Sequence, residues 1–134
     1  MAIFVRPIGA ESMLECPRGL QEIQLDVQRL VQDFRDRHGE DFPSTNGAKE
    51  EFVYNDTEKR LRANAGIYMP ILDAMIHSDP DELKESARFV DGRHRAWALS
   101  CLGHEVITVL VPSEKAAVFI AVYGYQRDLN APAA

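Results

Sequence analysis

The sequence predicts an α+β fold in which a small mixed β-sheet is flanked by helices. An apolar stripe with helical spacing runs through the N-terminal half, formed by Ile23, Val27, Leu30, Val31 and Phe34. Val106–Val111 is an unbroken, mainly β-branched run, which is typical of a buried strand. A chain of 134 residues is long enough for one domain with its own core. We therefore expect a single domain over residues 1–125, followed by a flexible tail over 126–134.

The N-terminal half is predicted to contain one strand, two helices and two loops. In chain order these are a strand over Ala2–Ile8, a loop over Glu11–Gly19, a helix over Ile23–His38, a mobile loop over Glu40–Gly47 and a helix over Asn55–Gly66. Pro7 closes the strand because it cannot continue a ladder. Gly39 follows cationic residues and is a natural helix stop. Asn55 or Asp56 is available to cap the second helix.

The C-terminal half is predicted to alternate strands and helices. Its elements are a strand over Ile67–Ile76 interrupted near Pro70, a turn over Ser78–Leu83, a strand over Arg88–Val90, a helix over Arg93–Leu102, the strand over Val106–Val111 and a helix over Glu114–Val122. Gly103 stops the first of these helices, and Ser113 is placed to cap the last one.

Composition and charge exclude several classes of protein. The net charge of −6 is a poor match for non-specific binding along DNA. It does not exclude a local basic site, so DNA is left open as a partner. No apolar run approaches the roughly 20 residues that a membrane span needs, and Met1–Val5 does not resemble a signal peptide. We expect a cytoplasmic protein without a membrane partner. The two cysteines are too few for a disulfide framework, and Cys101 is expected to be a reduced core thiol.

The segment with the clearest chemistry joins the predicted strand at Val90 to the next helix. Asp91 ends the strand, and Gly92 permits a positive φ angle and a close approach of ligand to backbone. The first turn of the helix then carries Arg93, His94 and Arg95. Free N–H groups and the helix dipole attract anions at this position, and arginine matches phosphate oxygens in a bidentate way. The residues predict a phosphate site, although a tight turn with solvated arginines and a packed histidine remains the alternative.

This segment resembles the signature of the ParB/sulfiredoxin-like superfamily, Gly-x-His-Arg-x-x-Ala at the start of a helix. Gly92, His94, Arg95 and Ala98 match that form, and a weaker likeness extends over Met69–Ala74. The resemblance implies that Gly92, Arg93, His94 and Arg95 grip the phosphates of a nucleoside triphosphate, ATP or CTP, with Mg²⁺ as a candidate companion.

The sequence also departs from members of that superfamily. Sulfiredoxins carry a reactive cysteine where this chain has Arg93, so we expect no sulfinate reduction. We also expect no helical DNA-binding domain of the chromosome-partitioning kind in these residues. Asp91 and His94 are the candidate catalytic residues. Kinase-like members use a carboxylate as general base, and here Glu50, Glu51 and Asp73 compete with Asp91.

Weaker candidates each have a plainer interpretation. Cys101 and His104 have a metal-like spacing but lack further ligands, so we expect no protein-held metal. Trp97 is expected to pack rather than to stack on a base. Three pairs could contact a ligand or Mg²⁺ but are expected to be solvated: Glu50 with Glu51, Asp79 with Asp81, and Arg60 with Arg62.

Two functions follow as hypotheses. The first is a nucleotide-dependent enzyme, an ATPase, phosphotransferase or nuclease, that uses the turn Asp91–Arg95. The alternative is a non-catalytic regulatory or inhibitory module of a plasmid, phage or toxin system, with a protein partner. The fold alone does not choose between them.

Overall fold

The computed structural model describes residues 2–14, 19–39, 42, 47–75 and 79–125, and these form an α+β fold, as predicted. The strands are β1 (Ile3–Val5), β2 (Leu20–Asp26), β3 (Gly66–Tyr68), β4 (Ile71–Asp73), β5 (Arg88–Asp91) and β6 (Val106–Pro112). The helices are α1 (Val27–His38), α2 (Gly47–Arg62), α3 (Pro80–Ser86), α4 (Arg93–Cys101) and α5 (Ala116–Tyr123). Short 3-10 turns cover Ala10–Met13 and Ser113–Lys115.

The strands form one mixed four-stranded sheet and one parallel pair. The larger sheet has the order β2-β6-β4-β5, and β1 pairs with β3. Strand β6 runs antiparallel to β2 and parallel to β4, while β5 is antiparallel to β4 at the sheet edge. Strand β5 therefore delivers the predicted phosphate turn at one edge of the sheet.

Strand β6 is buried on both faces, which explains its unbroken apolar sequence. Ile107, Val109 and Val111 face the main core, which also contains the apolar sides of α1, α4 and α5. Leu110 faces a second cluster with Met69 and Ile71. The predicted strands at Val106–Val111 and Arg88–Val90, and the helix that starts at Arg93, are confirmed.

The predicted start of the first helix is wrong. Leu20–Asp26 is strand β2, and the helix begins at Val27, with the side chain of Asp26 accepting a hydrogen bond from Arg29 N–H. Buried Ile23 and Leu25 alternate with exposed Gln24, which is strand periodicity. The four-residue spacing of Ile23 and Val27 also fits a helix, so the local sequence is compatible with both structures. Hydrogen bonding to β6 makes this segment a strand. The predicted end at Gly39 is confirmed, and its N–H donates to Arg35 O.

The predicted second helix is displaced. Helix α2 covers Gly47–Arg62, so Asn55 and Asp56 are interior residues and not caps. Asn64 takes the left-handed conformation, with φ of 52°, and Ala65 N–H donates to Arg60 O. Because Asn64 turns the chain, Gly66 is free to open strand β3.

Two further predictions are corrected near α3 and α5. The segment predicted as a turn over Ser78–Leu83 contains helix α3, capped by Asp79, whose carboxylate accepts from Asp81 and Glu82 N–H groups. A proline at the first position and buried Leu83 favour this helix. Ser113 is not the cap of α5, because the helix begins at Ala116 with Lys115 at its N-cap position and no side-chain cap. The Ser113 hydroxyl donates instead to Gly19 O.

Several expectations fall on residues outside the description. These are the tail 126–134, most of the loop over Glu40–Gly47, and parts of the segments around Cys16, Ile76 and Ser78. The predicted break at Pro70 is confirmed, since it separates β3 from β4. Among the helices that the structure describes, none combines the length and apolar character needed to cross a membrane.

Candidate functional site

A cleft opens where strand β5 turns into helix α4. It has a volume of about 300 Å³. Its lining consists of two residues of β5, the whole predicted turn and one residue of α2: Phe89, Val90, Asp91, Gly92, Arg93, His94, Arg95 and Lys49. We refer to it as the α4 cleft. All five consecutive residues of the predicted turn, Asp91–Arg95, thus line the cleft.

Gly92 is required by both backbone conformation and space. Its φ is +88°, a left-handed conformation that side chains disfavour. A Cβ at this position would lie 2.8 Å from Pro70 Cα and 2.8 Å from Arg95 Nη2. The turn is therefore pressed against the start of β4, and α4 begins with N–H groups at the cleft.

Arg95 is built into the wall of this cleft. Its Nη2 donates to Asp91 Oδ2 at 3.1 Å, and its Nε donates to Tyr68 O, also at 3.1 Å. The guanidinium thus ties the turn to the end of β3. It also neutralises the Asp91 carboxylate, which would otherwise repel a bound anion.

Arg93 and Lys49 approach the cleft from different helices. Both are exposed, Arg93 at the start of α4 and Lys49 in the first turn of α2. Packing of α2 against α4 brings the lysine to the turn. Two cations therefore meet at a helix N-terminus within a chain whose net charge is −6, and this arrangement favours an anion.

His94 is the buried polar residue of the site. It is only 7% exposed, and its Nε2 has no hydrogen-bond partner among the residues that the structure describes. Burial lowers the pKa of the imidazole, and the nearby charges of Lys49 and Arg93 lower it further. His94 is thus neutral near pH 7. In that state it can accept a proton or donate one hydrogen bond, but it adds no positive charge.

The candidate general bases separate into two places. Asp91 lines the cleft. Glu50 is close enough to His94 that its negative charge partly offsets the lowering of the His94 pKa. Asp73 lies away from the turn, because it pairs with Arg88 in the β4–β5 ladder while Ile71 pairs with Asp91. It accepts a hydrogen bond from Lys115 Nζ at 2.8 Å, which makes it a structural ion-pair residue. Glu51 is exposed on α2.

The expectation that Cys101 is a core thiol is wrong. Cys101 is exposed at the end of α4. Within the described parts of the chain, no group of three histidine, cysteine or acidic residues is arranged to hold a metal. Asp79 caps α3, so its carboxylate is already used by backbone N–H groups.

The plainer interpretations of Trp97 and the α2 arginines agree with the structure. Trp97 is half-buried against the main core, and its ring centroid lies 6.1 Å from that of Tyr54. Arg60 pairs with Asp56, and Arg62 pairs with Glu58, both along α2. These contacts direct the two arginines along their own helix.

Sequence reasoning missed Lys49. No motif surrounds it, and it lies more than forty residues before Arg93 in the printed sequence. Only the packing of α2 on α4 identifies it.

Comparisons with protein-family models, with curated proteins and with solved structures found no match. The α4 cleft is therefore interpreted from its own residues.

Proposed function

We propose that this protein binds the phosphate groups of a nucleotide in the α4 cleft, in the manner of the ParB/sulfiredoxin-like superfamily, and that it hydrolyses or transfers a phosphoryl group there. The observation that carries the proposal is the convergence of Arg93 and Lys49 on a glycine-opened helix N-terminus, beside a buried histidine with an unpartnered ring nitrogen. A phosphate accepts hydrogen bonds from the two cations and from the helix N–H groups.

The residues of the cleft divide the work. Arg93, Lys49 and the first N–H groups of α4 bind phosphate oxygens and offset the charge that develops on them during transfer. Arg95 holds the turn and neutralises Asp91. Neutral His94 accepts the proton of the attacking water or hydroxyl, so that hydrolysis of a triphosphate yields the diphosphate, inorganic phosphate and that proton.

The carboxylates near the turn also suit a nucleotide that binds together with Mg²⁺. Magnesium is usually held through phosphate oxygens and one or two carboxylates, and Asp91 and Glu50 are the carboxylates close to the turn. ATP and CTP are the nucleotides to test first. Nuclease activity is the less favoured variant, because the acidic chain would repel a DNA backbone.

Calorimetric titration with ATP, CTP and inorganic tripolyphosphate tests the binding, with and without Mg²⁺. We expect binding to the wild type and a loss of about tenfold or more in Arg93→Ala, since a charge-assisted hydrogen bond contributes about 1.5–3 kcal/mol. Arg62→Ala is the matched control, because Arg62 is a 77% exposed arginine paired with Glu58 on α2. It should bind like the wild type.

Two results would overturn the proposal. One is no binding of any of the three phosphates, which would favour the non-catalytic interaction module. The other is unchanged affinity in Arg93→Ala, which would place the ligand elsewhere. Phosphate release from a bound triphosphate then tests the reaction: His94→Gln should abolish turnover but keep binding.

A further inference from the structure

A second pocket adjoins the α4 cleft on the other side of Phe89. Its volume is about 250 Å³. It lies between the C-terminal turn of α1 and the edge strand β5, and it is lined by Phe34, His38, Phe42, Arg88, Phe89 and Arg93. We call it the aromatic pocket.

The rings that line this pocket form one packed group. The Phe34 and Phe89 centroids are 4.7 Å apart, and those of Phe42 and Phe89 are 6.1 Å apart with planes at 28°. The exposed imidazole of His38 is stacked on Phe34 at 5.9 Å. Phe34 and Phe42 are buried, whereas Phe89 is only partly buried. Four of the lining residues therefore carry aromatic rings, and Phe89 and His38 are the more accessible of the four.

The aromatic pocket and the α4 cleft share two residues. Phe89 and Arg93 line both cavities. Together the two volumes fall in the range of roughly 300–1,000 Å³ found for small-molecule sites. A single ligand can therefore place an anionic group in the cleft and a second group in the pocket, on the two sides of Arg93.

The chemistry of the pocket selects the second group. Aromatic rings offer stacking surfaces to planar π-systems. Arg88 and Arg93 add guanidinium planes, which stack on rings and donate hydrogen bonds. An aliphatic chain would leave these donors unused, whereas a nucleobase presents both a flat face and ring or carbonyl acceptors.

We propose that the aromatic pocket binds the base of the nucleotide whose phosphates occupy the α4 cleft, with Phe89 and Arg93 at the junction. This inference rests on the proposed function, because it assigns the remainder of the same ligand. It makes Phe89 a specificity-determining residue, since stacking contributes to the affinity of a nucleotide and not to that of a bare polyphosphate.

The test compares ATP and CTP with tripolyphosphate by calorimetric titration in three proteins: wild type, Phe89→Leu and Phe4→Leu. Leucine keeps an apolar side chain at position 89 but removes the ring. Phe4 is a partly buried phenylalanine that lines neither cavity, so it is the matched control. His38→Ala is a second variant at an exposed position, for use if Phe89→Leu does not fold.

We expect at least one nucleotide to bind wild type about tenfold or more tightly than tripolyphosphate, since base stacking on aromatic side chains gives a gain of that order. His38→Ala should reduce that ratio and leave tripolyphosphate affinity unchanged, because His38 lines the aromatic pocket and not the α4 cleft. Phe89→Leu should reduce the affinity for the nucleotide by a larger factor than the affinity for tripolyphosphate, while Phe4→Leu changes neither. Equal binding of nucleotides and tripolyphosphate would overturn the aromatic-pocket proposal but leave the phosphate site standing. If neither ligand binds, both proposals are wrong.

Discussion

Arg95 and Asp91 clasp the glycine turn between them, with Nη2 and Oδ2 3.1 Å apart across one turn of chain. The same guanidinium also reaches Tyr68 O. An arginine that the sequence suggests as a phosphate grip is thus engaged within the fold. Its first effect is to fix the position of the turn, while Arg93 and Lys49 present charge to the cleft.

Replacing Arg95 should therefore reduce stability. Arg95→Ala removes two hydrogen bonds, one of them to a carboxylate, from a side chain that is 24% exposed. We expect the free energy of unfolding to fall by about 1–2 kcal/mol. Urea unfolding measures this, with Arg93→Ala as the neighbouring exposed control, expected within about 0.5 kcal/mol of wild type. Equal losses of stability in Arg95→Ala and Arg93→Ala would contradict a structural role for the Arg95 hydrogen bonds to Asp91 and Tyr68.

Gly92→Ala should be more damaging than the same change at Gly103. Both glycines have positive φ, +88° and +82°, but a Cβ at Gly103 meets nothing within 4 Å. Gly103→Ala should cost only the left-handed backbone, about 1–2 kcal/mol. Gly92→Ala adds the clash with Pro70, so its cost should be larger by roughly 1–3 kcal/mol. Chemical denaturation of both variants checks the difference, and similar losses would mean that the turn does not press on β4.

Stability should depend on pH through His94. Its pKa is lowered in the folded protein by burial and by Lys49 and Arg93, from an ordinary value of 6.5. Below about pH 6.5 the unfolded chain therefore binds a proton that the folded chain resists, so stability is present above that pH and is lost as the pH falls. Unfolding measured across about pH 5–8 should show a smaller acid loss in His94→Gln. A His94→Gln profile identical to wild type would exclude this role.

Lys49 should contribute to anion binding although no motif marks it. Lys49→Ala removes one of the cations that line the α4 cleft. We expect the affinity for tripolyphosphate to fall by about three- to tenfold, as suits one charge at a partly exposed site. Lys59→Ala, an exposed lysine on the same helix, is the matched control. A loss shared by both variants would indicate only a general effect of net charge.

Asp73 should behave as a structural residue. It pairs with Lys115, and their side chains are 17% and 12% exposed. Lys115→Met should lower the free energy of unfolding by about 2 kcal/mol, because it removes the closer of the two cations beside a poorly solvated carboxylate. Arg88→Ala should cost less than about 0.5 kcal/mol, since Arg88 is 63% exposed and lies 3.7 Å from Asp73. Thermal unfolding of both variants decides this, and no loss in Lys115→Met would reopen Asp73 as a candidate base.

The fold class and the glycine turn between β5 and α4 could be read locally. Gly92 between a short apolar strand and a helix favours the turn, because glycine permits a positive φ without strain. The β-branched run at Val106–Val111 likewise predicts a buried strand without reference to any distant residue. These predictions depend on a few neighbouring residues, and all of them agree with the structure.

The sequence by itself thus determined the α+β class, the β5–α4 turn and four neighbouring residues that line the cleft: Gly92, Arg93, His94 and Arg95. Only the tertiary structure decided that Leu20–Asp26 is a strand, since β6 supplies its hydrogen bonds from eighty or more residues away in the printed sequence. Packing of α2 on α4 likewise brought Lys49 to the cleft, and α1 supplied Phe34 and His38 to the aromatic pocket. The physical reason is that periodicity and glycine conformations act within a few residues, whereas strand pairing and helix packing join segments that carry no local mark of their partners.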